Sequence, residues 1–294
     1  MSHASAGVLY LSGFGSIAAV IRGEKTQMST RNTGLRLKVL GTRGSMATNR
    51  EDQAIFGTAT SCYMVRAGEE TVFLDAGNGL LTAPVDFPRP PHILLSHLHL
   101  DHLLGLGMYP RLAKKGLETT IHVPVPRGKD PAKLLERVYS PPFWPVSLAS
   151  YAGDVRILPL SFPFQIGEVT VEGIPGNHPG NSFIIKLSWR GKSIVYASDY
   201  EYEETSFLRL IKFAEDADLV LYDGQYTSDE LDDHRGFGHS TAEHALELLD
   251  RCRARFMWLI HHDPQRSDEE LQAMAARLNR KDVYFTREGD EIVL

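Results

Sequence analysis

A chain of 294 residues, 43% hydrophobic and 23% charged, is long enough for one large domain or two small ones and has the composition of an ordinary soluble globular enzyme. Its 31 basic and 37 acidic side chains leave a net charge of −6, which offers no broad attraction to nucleic acid, whose non-specific affinity comes from phosphate neutralisation. Two cysteines far apart, Cys62 and Cys252, exclude a disulfide framework and read as small buried hydrophobes in a reducing, cytoplasmic compartment.

Taken in chain order, residues 7–21 (GVLYLSGFGSIAAVI) are mostly apolar but too short to span a bilayer as a helix. They resemble a signal h-region, yet no Lys or Arg precedes them, so residues 1–34 are read as an extension outside the core. Nothing else reads as transmembrane. The remainder, 35–294, is expected to form one domain. Strands are predicted at 35–40, 62–67, 71–75, 92–96, 155–158, 168–174, 182–189, 192–198, 218–222, 255–260 and 282–285, rich in Val, Ile and Leu and bounded by Gly, Asp, Asn or Pro. Strands that succeed one another without a helix between them argue against a purely parallel sheet and for mixed sheets in an α/β architecture. Two capping boxes, Ser240 to Glu243 and Ser267 to Glu270, predict late helices with serine at each N-cap. The run from Ser140 to Pro145 (SPPFWP) is expected to be a rigid aromatic loop.

The chemistry concentrates in Ser96-His97-Leu98-His99-Leu100-Asp101-His102, which comes after a short apolar strand and precedes a predicted helix. Three imidazoles and a carboxylate in six residues supply the donors that Zn²⁺ and related first-row ions prefer. His97 and His99 leave the strand end on one side, while Asp101 and His102 begin the next turn, so one loop can serve two neighbouring ions.

This segment resembles the signature of the metallo-β-lactamase superfamily, whose fold is a four-layer αββα sandwich of two mixed sheets flanked by helices. The resemblance implies further ligands after later strands, and the chain supplies His178, Asp199, and His261 or His262 in the required order. It implies that His97, His99 and His178 bind one divalent ion and Asp101, His102 and His261 a second, with Asp199 bridging. His261 is preferred because it directly succeeds the strand, with His262 behind it as the alternative. Zinc is the expected metal, with Mn²⁺ or Fe²⁺ as alternatives. A carboxylate at 199, where β-lactamases of the superfamily commonly carry cysteine, resembles the phosphodiesterase branch that includes ribonuclease Z.

Gly238-His239-Ser240-Thr241 is similar to that branch's His-Ser-Thr motif, and Asp223 lies where the branch pairs an acidic residue with the histidine. Gly41-Thr42-Arg43-Gly44-Ser45 and Leu74-Asp75-Ala76-Gly77 also fit, whereas Ala59 stands where an Asn is usual. The expected chemistry is attack on phosphorus by a hydroxide bridging two metals, with Asp101 and Asp223 in supporting catalytic roles and His239 protonating the leaving oxygen. A capping or buried histidine is the plainer role for His239. Asp75 is expected to buttress a ligand histidine. Phe143, Trp144 and Ser240 are candidate substrate contacts, the aromatic pair by stacking on a base or else by capping the core. His3, His92, His122, His234 and His244 read as structural or surface, and Lys114, Lys115, Arg127 and Lys129 as solvated.

No long basic arm of the ribonuclease Z kind lies between His102 and His178, so the expected substrate is a small phosphodiester, a cyclic nucleotide first, with nucleic acid less favoured. An RNA 3′-processing endonuclease is one alternative, and a lactonase or thioesterase of the superfamily another. The branch is often dimeric, which leaves a homodimer open.

Overall fold

The structure is a computed structural model that describes residues 34–294; the apolar stretch at 7–21 and the expected extension lie outside the described residues. The first half of the described chain supplies β1 (Leu35–Gly41), β2 (Cys62–Ala67), β3 (Glu70–Leu74), β4 (His92–Leu94), β5 (Glu118–Val123) and β6 (Asp154–Pro159). The second half supplies β7 (Phe164–Ile166), β8 (Val169–Pro175), β9 (Phe183–Trp189), β10 (Lys192–Ala197), β11 (Leu219–Asp223), β12 (Met257–Ile260) and β13 (Val283–Phe285). A last strand, β14 (Glu291–Val293), returns to the first sheet. The two seven-stranded sheets run β14-β1-β2-β3-β4-β5-β6 and β13-β12-β11-β10-β9-β8-β7. Both are mixed. β3 to β6 pair parallel, as do β10 to β13, while hairpin-linked strands such as β1 with β2 and β8 with β9 pair antiparallel.

Alternation of apolar residues along each strand gives every sheet an inner and an outer face. Leu37, Val65 and Leu74 of the first sheet meet Val171, Ile185, Tyr196 and Leu221 of the second in a buried core between the sheets. A second core lies under α2 (Glu204–Phe213), α3 (Ala242–Cys252) and α4 (Asp268–Leu278), built from Phe207, Leu248, Leu271 and their neighbours. On the other outer face, α1 (Pro131–Glu136) and several 3-10 turns cover Phe73, Leu106 and Tyr139. The four layers of an αββα sandwich are therefore present, with one outer layer made mostly of turns.

Several expectations are corrected. No α-helix succeeds the histidine segment: Leu100–His102 and Leu104–Met108 are 3-10 turns. Their ends bond to the β3 exit instead of continuing a helix, Ala76 N–H to the His102 carbonyl at 2.8 Å and Gly105 N–H to the Ala76 carbonyl at 2.9 Å. The capping box at 267 is present, but α3 is capped by Thr241, whose hydroxyl accepts from His244 N–H. Strands β5, β7 and β14 are not marked in the sequence. Each is short or begins on polar residues, and neighbouring strands define them more than their own composition does.

Candidate metal centre

Five parallel strands end at one edge of the sandwich, and the site is built on the residues just past those ends. Asp75 succeeds β3, His97 and His99 leave the end of β4, Asp199 lies two residues beyond β10, Asp223 ends β11, and His261 comes directly after β12. His178 comes from the loop between β8 and β9. Asp75, Asp199 and His261 all hold left-handed backbone, with φ of 59°, 51° and 59°. Asp and His enter this region more readily than most residues, and the turn swings each side chain back over the strand ends.

Two donor groups result. His97, His99, His178 and Asp199 bring one donor each together, as do Asp101, His102, Asp199 and His261, with all donors of a group within 4.8 Å of one another. Asp199 belongs to both. Its Oδ2 faces His97 Nε2 at 3.5 Å and His178 Nε2 at 3.7 Å. Its Oδ1 faces His102 Nε2 at 3.0 Å and His261 Nε2 at 3.2 Å. Asp101 Oδ2 lies 3.0 Å from His102 Nε2 and 3.2 Å from His261 Nε2, and accepts from Ser45 N–H at 2.8 Å.

The outer nitrogens of these rings decide where the inner lone pairs point. His102 Nδ1 donates to Asp75 at 2.7 Å, His178 Nδ1 to the Gly238 carbonyl at 2.8 Å, and His261 Nδ1 to Gln225 Oε1 at 2.8 Å. Ser96 Oγ donates to Asp75, so it accepts from His97 Nδ1 at 3.1 Å. With the protons held outside, the Nε2 of each ring in its neutral form aims a lone pair inward. His97 Nε2 is buried without any hydrogen-bond partner, and the Nε2 atoms of His102 and His261 face each other at 3.3 Å. Converging lone pairs beside two carboxylates are poorly arranged for one another and well arranged for cations. The residues fit a pair of divalent ions, with the outer partners orienting the ligands as such sites require.

The electrostatics agree. Burial, then the nearby His102, pushes His97 well below the usual histidine range, and burial likewise lowers His99 and His178. Burial would raise the carboxyl of Asp199, but His102, His261 and His97 outweigh it and hold it well below the usual range. Asp101 is held low in the same way by His102 and His261. Against its own burial, His261 is raised to about 9 by Asp199, Asp101 and Asp223. The negative field that holds a proton on a buried imidazole would hold a metal cation there.

A pocket of about 330 Å³ opens on this cluster, lined by Ser45, Leu98, His99, Leu100, Asp101, Asp199 and His239. His239 is 8% exposed, and its Nδ1 donates to the fully buried Asp223 at 2.8 Å. Its ring stacks on His261 with centroids 4.8 Å apart, and it lines the same pocket as Asp101 and Asp199. His262 turns away. Its Nε2 donates to the Thr286 carbonyl at 2.9 Å, and burial lowers it to about 3.

Three residues expected at the substrate lie elsewhere. Ser240 is fully buried, its hydroxyl bonded to Tyr222 and His244. Trp144 packs on Tyr139 and Gly107 and donates to Tyr151, while Phe143 is 78% exposed; neither lines the pocket. Arg43 is structural: it is buried and donates to the carbonyls of Gly57, Asp263 and Arg266, tying two loops beside the site. Gly44 has to be glycine, since a Cβ there would lie 2.2 Å from His261 Nδ1. Gln225, Ser45 and Tyr196, which donates to Asp75 at 2.6 Å, carry no readable signal in the sequence, because their roles depend on partners 36 to 121 residues away.

Two mixed sheets carrying such a donor set at one edge define a metal-dependent hydrolase. The chain belongs to the β-lactamase superfamily: the family model described as a beta-lactamase superfamily domain matches residues 70–262. A ribonuclease Z of Pyrococcus furiosus is 26% identical over 279 aligned positions, covering 78% of this chain and 88% of the relative. Among solved structures, the metallo-β-lactamase fold protein YhfI of Bacillus subtilis superposes with a TM-score of 0.69 at 18% identity, covering 88% of this chain and 99% of that one. The short form of human tRNase Z superposes with a TM-score of 0.61, also at 18% identity, covering 87% of this chain and 98% of that one. At these identities the structural likenesses speak for the fold.

Proposed function

We propose that the protein hydrolyses phosphodiesters with two divalent ions. One would be held by His97, His99 and His178, the other by Asp101, His102 and His261, with Asp199 reaching both. Zinc is the favoured metal, since imidazole and carboxylate in these numbers suit it; Mn²⁺ and Fe²⁺ use the same donors. Bound divalent ions would polarise the phosphoryl group and activate water near neutral pH. The chain's own contribution is proton control. Asp223 accepts from His239 Nδ1 and so fixes the ring's orientation, which leaves Nε2 to protonate the departing oxygen. Ser45 N–H and the paired histidines keep Asp101 ionised, and Leu98 and Leu100 give the pocket an apolar wall.

The observation that carries this reading is the Asp223–His239 pair, which opens on the same small pocket as Asp101 and Asp199. At about 330 Å³ that pocket is at the lower end of the range for small-molecule sites, roughly 300–1,000 Å³, which supports a small phosphodiester such as a cyclic nucleotide. The ribonuclease Z relative supports a second reading, cleavage of RNA near its 3′ end. No helix among the described residues is long and apolar enough to cross a membrane, and the free, buried Cys62 and Cys252 support a reducing, cytoplasmic setting.

Protein purified without chelator should contain close to two metal ions per chain, and Asp199→Ala should lose both metal and activity. Cyclic nucleotides, bis(p-nitrophenyl) phosphate, a tRNA precursor and lactones should be assayed side by side. A lactone turned over far faster than every phosphodiester would defeat the assignment. His239→Ala should keep its metals yet lose rate by about 10²–10⁴-fold, the span of general-acid catalysis. That loss should shrink when the leaving group is p-nitrophenolate, which needs little protonation.

A further inference from the structure

Glu201 stands where three loops of the site meet. It comes two residues after Asp199 on the exit of β10. Its backbone N–H donates to the Asn177 carbonyl at 2.8 Å, and its carbonyl accepts from Asn177 Nδ2 at 2.9 Å, which ties it to the residue before His178. Its carboxylate reaches the third loop. Oε1 and Oε2 accept from Gly236 N–H at 2.8 and 3.0 Å, and Oε2 also accepts from Gly238 N–H at 2.9 Å.

That third loop comes after a 3-10 turn (Leu231–His234) and is tied locally by Phe237 N–H to the His234 carbonyl at 3.1 Å, while the N–H groups on either side of Phe237 turn to Glu201. Gly236 and Gly238 have φ of 84° and 91°, and no strand or helix spans them. Charge-assisted hydrogen bonds are roughly twice as strong as neutral ones, so one carboxylate can do here what a ladder does elsewhere. The same short stretch serves both halves of the site. The Gly238 carbonyl takes the proton of His178 Nδ1, and the next residue is His239. A shift of the Gly238 peptide would therefore turn a metal-facing imidazole and misaim the pocket histidine together.

We infer that Glu201 is a positioning residue for His239, and through the Gly238 carbonyl for His178, which rests on the reading of His239 as the proton donor. It touches neither substrate nor metal. Its effect is to fix the loop from which both histidines take their aim, so its removal acts on geometry. A misplacement of about 1 Å at such a group can cost about 10²-fold in rate.

The test compares Glu201→Ala, Glu201→Asp and Glu201→Gln in the metal-loaded full chain, using diphenyl phosphate and bis(p-nitrophenyl) phosphate. Glu201→Ala should lower kcat for diphenyl phosphate by about 10–100-fold with KM nearly unchanged, and by much less for the p-nitrophenyl ester. Glu201→Gln keeps one acceptor oxygen for the glycine N–H groups but loses the charge and sets an NH₂ group against Gly236 N–H, so it should restore only part of the rate. Glu201→Asp keeps the charge but withdraws the acceptor, and should lie between. Added to His239→Ala, Glu201→Ala should cost no further rate. Apart from activity, competition of the metal-free protein with a chromophoric chelator should show metal affinity weakened about 10-fold in Glu201→Ala, the lower end for lost ligand-orienting partners.

Equal losses on both esters, no rescue by Glu201→Gln, or an undiminished extra loss in the His239→Ala background would overturn the role toward His239. Unchanged metal affinity would overturn the role toward His178. If His239→Ala alone proves insensitive to the leaving group, the proton-donor reading falls and the positioning of a donor falls with it. Should Glu201→Ala fail to fold, the Glu201→Asp and Glu201→Gln pair carries the same comparison.

Discussion

Asp75 is not a ligand in this arrangement, yet its replacement should damage the metal centre more selectively than most core changes. Its carboxylate is fully buried and takes four donors: Ser96 N–H at 2.6 Å, Ser96 Oγ at 2.7 Å, His102 Nδ1 at 2.7 Å and Tyr196 Oη at 2.6 Å. Three of them converge on Oδ2. Asp75→Asn preserves shape and tolerates the left-handed backbone, but only one of its two terminal atoms can accept. If the amide oxygen takes the crowded Oδ2 position, the NH₂ group confronts Ser96 N–H, and one buried donor is left unpaired. Loss of one charge-assisted bond with an unsatisfied buried partner costs about 2–4 kcal/mol. For a chain of this size each kcal/mol moves Tm by about 2–4 °C, so a fall of roughly 4–16 °C is expected. The anionic partner of His102 also disappears, which should weaken metal binding about 10–100-fold. Thermal unfolding of the metal-free protein reads the first effect, and chelator competition reads the second. Asp75→Asn with wild-type Tm and a metal affinity within twofold of wild type would refute the argument that Asp75 orients His102.

Gly238→Ala should be far worse than Gly236→Ala. Both residues have positive φ, but a Cβ at 238 would lie 2.0 Å from His178 Nδ1, whereas one at 236 meets nothing within 4 Å. The expected contrast is metal affinity weakened at least about 10-fold in the first against a near-normal site with about 1 kcal/mol of lost stability in the second; similar behaviour of the two would refute it. A separate prediction concerns acid stability. His122 is buried between His92, 3.0 Å away, and Phe164, and burial, then the charge of His92, pushes it down to about 4. Below the unfolded value of about 6.5 the unfolded chain takes up a proton that the folded one refuses, so stability falls between pH 6.5 and 4 and levels off below. The full effect is on the order of 3 kcal/mol for a lowering to about 4, and it should be missing from His122→Gln in denaturant titrations across that range. Identical pH slopes for the two proteins would exclude it.

How legible the site is in the sequence depends on the range of each contact. His97, His99, Asp101 and His102 announce themselves because three imidazoles and a carboxylate within six residues suit little besides a metal. His178, Asp199 and His261 are single residues with common alternatives, and only their order after successive strands singles them out. Spacing alone does not decide between His261 and His262. In the structure the choice rests on backbone conformation, since the φ of 59° at His261 aims that ring inward and leaves His262 to the Thr286 carbonyl. Ser240 and Thr241 pose the same difficulty. Either hydroxyl could cap α3, and the buried Tyr222 hydroxyl, 18 residues away, takes Ser240 and leaves the cap to Thr241. Strand β5 has β-branched residues at Thr119, Thr120, Ile121 and Val123, but the polar Glu118 and His122 break up its apolar pattern, and it is β4 and β6, paired on both sides, that define it.

The strained turns at Asp75, Asp199 and His261 account for the donors being found at strand ends. A residue continuing a strand points its side chain above or below the sheet, into one of the three cores. A left-handed residue just past the last ladder bond reverses the chain and lays its side chain across the edge, where two sheets can contribute to one cluster. Such backbone costs on the order of 1–3 kcal/mol per residue, less for Asp than for most, against a net stability of about 5–15 kcal/mol for a whole domain. Three of them are sustainable only if the preceding residues cannot move. Leu74, Ala197 and Ile260 are each fully buried, the first and last between the sheets and Ala197 under the outer helices, and each lies in an inner strand paired on both sides. The sandwich thus fixes the three turns and the donors that they carry. Its rigidity keeps the donors on one edge, where imidazole and carboxylate already lie close, His102 Nε2 being 3.0 Å from both Asp101 and Asp199.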